Sequence, residues 1–179
     1  MEKFMPLNGI DKGKKQQETD AMRKAREVML LNSPPAQFFK LRAELLKQGR
    51  SNQRIADTGN MWINLKVYAS GGENGLHNHT DQDHFHLVLS GSACFYGPRG
   101  ETKHCGPFEG VMLPSGSFYR FEATSKEPLV LLRVAAKTDP TEDHPRYNIY
   151  GEPLPSHLKE NGGQIKVISD EGNFWGASE

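Results

Sequence analysis

From Met61 to Ala135 the chain is a succession of short runs rich in β-branched and aromatic residues, each closed by a turn signal. The runs are Trp62–Tyr68, Gly75–His79, Asp83–Leu89, Ala93–Tyr96, Val111–Leu113, Phe118–Ala123 and Leu129–Ala135. Gly71-Gly72, Gly97-Pro98, Gly106-Pro107 and Pro114-Ser115-Gly116 punctuate them. Many short strands at this spacing, with no helices between them, indicate an antiparallel sandwich or small barrel. The predicted core is therefore all-β, over residues 61–138.

The flanks read differently. Ala21, Met22, Ala25, Val28 and Met29 recur at helical spacing and predict a helix from about Gln16 to Leu31, stopped by Pro34 and Pro35. Ser33 is placed to cap a second helix carrying Phe38, Phe39, Leu41, Leu45 and Leu46, with Gly49 at its end. Polar residues Arg50 to Gly59 then read as a connection, which makes residues 1–60 an N-terminal helical extension. After Asp139 comes an irregular tail with Pro140, Pro145, Pro153 and Pro155, a possible strand Ile165–Ile168 and an aromatic end at Phe174-Trp175. Its apolar anchors predict that residues 139–179 lie across the barrel or a partner.

A chain of 179 residues is long enough for one domain with a real core. Its 22 basic and 22 acidic side chains cancel, so no global field draws it to nucleic acid or anionic lipid. No apolar run approaches the roughly 18 residues of a membrane span, and the opening residues lack the apolar stretch of a signal peptide. Cys94 and Cys105 are too few for a disulfide framework. The expectation is a soluble cytoplasmic protein that binds neither nucleic acid nor membrane.

His77, His79, His84 and His86 crowd one short stretch. Residues i and i+2 of a strand share a face, so His77 points with His79, and His84 with His86. A turn at Thr80-Asp81-Gln82-Asp83 would bring both pairs toward one volume, and converging neutral imidazoles suit Zn, Fe, Ni, Mn or Cu. Gly71, His77, His79, His84 and Gly91 together resemble the first motif of the cupin superfamily, with His84 where that family usually has Glu. Pro114, Gly116 and Tyr119 resemble its second motif, with Tyr119 in place of the usual His, Phe108 in place of a Gly and Ala123 in place of an Asn. The resemblance covers about Gly71 to Ala123. It implies a double-stranded β-helix, a jelly-roll barrel that is often dimeric. It also implies one divalent transition metal (Fe, Zn, Ni or Mn) on His77, His79 and His84, with Tyr119 as fourth ligand or near neighbour. Asp83 is the rival to His84, but strand parity places it with Phe85, Leu87 and Leu89, away from His86 and Val88.

His86 lies further along the histidine face, where it binds metal or substrate or serves as a hydrogen-bonded core residue. His86 and Tyr119 are the catalytic candidates. His104, His144 and His157 carry no motif. A His in place of Glu leaves the ion more of its positive charge, which favours anionic or enolate-type ligands. Some cupin oxygenases resemble this three-histidine pattern, so the leading expectation is a dioxygenase-type enzyme on a small organic substrate. The alternatives are a non-redox zinc-type cyclase, isomerase or lyase, as in some polyketide-cyclase cupins, and a non-catalytic small-molecule-binding module. Phe85, Leu87 and Leu89 face away from the histidines yet are apolar. The facing sheet, the N-terminal helices or another subunit must cover them, and a homodimer is expected.

Overall fold

The computed structural model describes residues 19–138, 146–154 and 165–178. The chain up to Gln37 and the chain from Phe38 onward form two compact units. The first holds α1 (Asp20–Leu31), whose N-cap Thr19 accepts from the Met22 amide at 3.3 Å. Residues 16–18 of the expected helix lie outside the described residues. Among the described residues no helix is long and apolar enough to cross a membrane.

The second unit consists of strands β1 (Arg42–Gln48), β2 (Arg50–Asp57), β3 (Met61–Tyr68), β4 (Gln82–Ser90) and β5 (Ala93–Tyr96), followed by β6 (Thr102–Cys105), β7 (Gly110–Leu113), β8 (Arg120–Ala123), β9 (Leu129–Lys137) and β10 (Ile168–Gly176). They form sheets in the orders β2-β3-β9-β4-β7, β6-β5-β8 and β1-β10. The core lies between the first two sheets. Tyr68, Val88, Leu129 and Leu131 from β3, β4 and β9 meet Phe95 and Phe121 from β5 and β8. Tyr68 stands edge-on to Phe121 with ring centroids 5.0 Å apart. This is the jelly-roll barrel that the cupin resemblance implies, and a small antiparallel barrel as the strand pattern predicts.

Alternation along β4 does what parity requires: His84, His86 and Val88 are buried, while Phe85, Leu87 and Leu89 are only partly so. β7 approaches β4 so closely at Gly110 that an added Cβ would collide with the His86 carbonyl, which is why a glycine opens that strand.

Several expectations are corrected. The segment expected to be the second helix contains strand β1, which pairs antiparallel with β10. Its Arg-Ala-Glu-Leu-Leu-Lys-Gln sequence favours a helix by only tenths of a kcal/mol per residue. Burying Ala43 and Leu46 against Leu65, Val67 and Val130 is worth more, roughly 1.5–3 kcal/mol for a full leucine side chain. The β1–β10 sheet also answers part of the covering problem, since Leu89 packs against this cluster together with Trp175. The stretch read as a connection is β2, paired along its length with β3. His77 and Asn78 are held by isolated bridges to Tyr119 and Tyr147, and no continuous strand spans Gly75–His79. In the tail the strand starts at Ile168, and its Phe174 and Trp175 lie opposite Glu44 and Ala43.

The expected glycine position before Pro114 is instructive. Phe108 holds a left-handed backbone, φ 69°, and the residue is 83% exposed. The turn keeps the conformation a glycine would supply, although the residue is not one.

Candidate functional site

The histidines reach one volume by three routes. His84 and His86 project inward from β4. His77 is tied to Tyr119, its amide donating to the Tyr119 carbonyl at 3.1 Å and the Tyr119 amide donating back at 2.9 Å. The His79 carbonyl accepts from the Gly116 amide at 2.6 Å. Ring centroids are 5.2 Å apart for His77 and His79, 4.4 Å for His79 and His84, and 5.8 Å for His84 and His86. Tyr119 lies 4.7 Å from His77 and 5.5 Å from His86 by the same measure. The structure thus brings His77, His79, His84, His86 and Tyr119 together. His104 is exposed on β6, an edge strand, and His144 and His157 lie outside the described residues.

Burial sets their charge. His77 is pushed down to about 4, mainly because the buried imidazolium would lose its hydration. The same cause lowers His79, His84 and His86, with Arg133 and neighbouring histidines adding to it. Burial raises Tyr119. At neutral pH the cluster is a set of neutral rings and a neutral phenol.

The hydrogen bonds say which lone pairs are spoken for. His77 Nδ1 donates to the Gly75 carbonyl at 2.7 Å, which leaves its buried Nε2 as a lone pair with no partner. A metal-ligating histidine has that tautomer. Neither ring nitrogen of His86 has a partner. His84 differs: Arg133 Nη2 lies 2.6 Å from its Nε2 and Gln82 Oε1 lies 2.8 Å from it, the same Nη2 donating to that Oε1 at 2.9 Å. A guanidinium only donates, so Nε2 accepts and the ring proton sits on Nδ1, 3.3 Å from the Tyr119 hydroxyl. Among the described residues no three His, Cys, Asp or Glu side chains are disposed to hold a metal ion as they stand. In donor chemistry the site does fit a transition metal: neutral imidazoles, two of them with buried lone pairs unspent.

Beside the histidines opens a cavity of about 540 Å³. Trp62, Asn64 and Lys66 line it from β3, so that face of the strand looks into the site. Arg50 and Arg54 from β2, Arg133 from β9, and Arg146 complete a cationic lining. Sequence reading missed all four arginines. For Arg133 a signal existed, because it is a lone charge within the apolar run Leu129–Ala136. The register places Arg54, Asn64, Arg133 and His86 opposite one another in a single row across β2, β3, β9 and β4.

A jelly-roll barrel with neutral histidines at the mouth of a polar cavity defines a class of small β-barrel proteins. Residues 64–135, which include most of the strands that hold the site, match the family model described as "Cupin domain". A comparison with curated proteins finds no match. Among solved structures, a conserved protein of unknown function from Streptococcus pyogenes is 20% identical, with 53% of this chain and 80% of that one covered at a TM-score of 0.46. A cupin superfamily protein from Desulfitobacterium hafniense DCB-2 is 18% identical, covering 52% of this chain and 83% of that one at 0.46. The Cnp3 cupin domain of Schizosaccharomyces pombe is 12% identical, covering 56% and 89% at 0.47.

Proposed function

We propose that this chain is a metal-dependent cupin enzyme acting on a small organic substrate held in the cavity, with dioxygenase-type oxidation as the leading reaction class. The observation that carries the reading is His77. Its Nδ1 proton is fixed on a backbone carbonyl and its buried Nε2 has no partner beside three further neutral imidazoles. His77 and His79 would hold the ion with His84 as third ligand, or with His86 in its place while His84 stays on Arg133. A bound transition metal supplies Lewis acidity and, for a redox metal, electrons for oxygen chemistry. The chain's own residues exclude water at the closed end of the barrel, orient the substrate from the cavity wall and offer a proton at the Tyr119 hydroxyl. That phenol, kept neutral by burial and hydrogen-bonded to His84, favours a second reading: a non-redox isomerase, lyase or cyclase that needs a proton donor.

Elemental analysis of protein purified without added metal or chelator tests the proposal. About one transition-metal ion per chain is expected, lost in the His77→Ala/His79→Ala double variant while its circular dichroism stays that of a β-barrel. Full metal content in that variant would sink the assignment. Iron or another redox metal supports the oxygenase reading, and zinc the second one. A protein that binds small molecules and turns none of them over would be a binding module.

A further inference from the structure

The histidines occupy only one side of the cavity, and the other side carries a charge imbalance that metal binding does not use. Arg50, Arg54, Lys66, Arg133 and Arg146 all line it, and no lining residue is acidic. Three of the five already have polar partners, none of which neutralises Arg50 or Arg133: Arg54 pairs with Asp57, Arg50 donates to Asn74 and to the Gly72 carbonyl, and Arg133 donates to Gln82 Oε1 and His84 Nε2. Lys66, Arg133 and Arg146 form no ion pair with any carboxylate among the described residues. The buried Nε of Arg133 has no hydrogen-bond partner at all. A buried cation without a counter-ion is costly, and a protein rarely gathers several unless something else supplies the negative charge.

We propose that the cavity binds an organic anion carrying at least two negative charges, a dicarboxylate or a phosphomonoester, with Arg133, Arg146 and Lys66 as its counter-ions. The inference rests on reading this cavity as the substrate site. Arg133 is the central residue. It lines the cavity and faces Asn64 on β3 and His86 on β4 in the strand register, so an anion beside its guanidinium sits between the polar wall and the imidazoles. Guanidinium groups meet carboxylates and phosphates through paired N–H donors, which sets orientation as well as charge. Lys66 and Arg146 add charge from β3 and from the segment after the barrel, and Asn52 and Asn64 add uncharged polar groups to the same lining. The burial and mutual repulsion that lower Lys66 toward its neutral form act in the absence of an anion, and a bound dianion opposes both.

The test is calorimetric titration of the full chain, stripped of metal with a chelator, against malonate, succinate, inorganic phosphate and glycerol 3-phosphate, with succinamide as the neutral control. At least one dianion should bind tenfold or more tightly than succinamide, and more weakly as ionic strength rises. Arg133→Gln and Arg146→Gln should each weaken it at least tenfold. Arg146 lies outside the strands, so it keeps the test open should Arg133→Gln fail to fold. A preference for malonate or succinate assigns a dicarboxylate, and one for the phosphates assigns a phosphomonoester. The His77→Ala/His79→Ala protein separates this inference from the metal reading. Anion binding that survives there stands even if no metal is found. Dianions binding no better than succinamide would overturn the inference. So would anion binding that needs added metal and ignores both arginine substitutions, an outcome that leaves the metal reading intact.

Discussion

The two ends of the barrel interior are built from the same strands and do opposite things. Along the inward face of β9, Leu129 and Leu131 are fully buried apolar residues, and the next inward position is Arg133. Along β4, Val88 is followed toward the mouth by His86 and His84, and along β3, Tyr68 by Lys66 and Asn64. The closed end packs carbon on carbon, apart from the buried Tyr68 hydroxyl, which also lacks a partner. The open end contains Asn64, His77, His86 and Arg133, each with a buried polar atom that has no partner. Polar groups buried without partners reduce stability, so the open end draws on stability that the closed end provides. What distinguishes a barrel core from a barrel site is then a change of one or two inward residues per strand.

The largest effect expected from breaking that contrast is at the closed end. Leu131→Ala should cost about 2–5 kcal/mol in denaturant unfolding, with little pH dependence of its own. Acid should act only on the open end. His77 titrates at about 4 in the folded chain against roughly 6.5 unfolded. Because the folded value is the lower one, its stability contribution is complete above about pH 6.5 and is lost as pH falls to about 4. For the metal-free protein this amounts to about 3 kcal/mol, and His79, His84 and His86 act in the same direction. Unfolding curves from pH 7 downward check it, and His77→Asn should flatten them. Arg133→Met makes the open end resemble the closed one. It should raise stability by about 1–2 kcal/mol, as apolar replacements of buried charges often do, while abolishing anion binding in the same titration. The smallest effect sharpens the contrast from outside the site. Phe108→Gly should gain about 1 kcal/mol by relieving its left-handed backbone, with metal and anion binding unchanged.

Which strands could be read from the sequence follows the same division. β3, β4, β5, β7 and β9 were visible because one face of each packs into a core and shows as apolar periodicity. β2 was not, because Arg50 and Arg54 point into the cavity, and a strand lining a polar cavity carries no apolar stripe. β1 was hidden for a different reason: its residues are good helix formers, and only pairing with β10, far along the chain, makes it a strand. In the site, the histidines were legible from spacing, and Tyr119 from the resemblance to the second motif. The arginines were not, since they come from strands distant in sequence that only the sheet register brings into one row. Phe108 shows the limit from the other side, for the second motif retains its backbone turn where the side chain has changed.

Arg133 belongs to both halves of the site at once. It donates to His84 Nε2 at 2.6 Å and to Gln82 Oε1 at 2.9 Å, and it faces the cavity. A guanidinium drawn toward a bound anion gives up its claim on His84, and the lone pair it held becomes available to a metal. If both proposed ligands bind, each breaks the Arg133–His84 contact that opposes the other, so the factor by which the anion tightens metal binding is the factor by which metal tightens the anion. Filling the cavity would then also ready the histidines, and a metal on the histidines would ready Arg133 for the anion, a coupling carried by a single hydrogen bond.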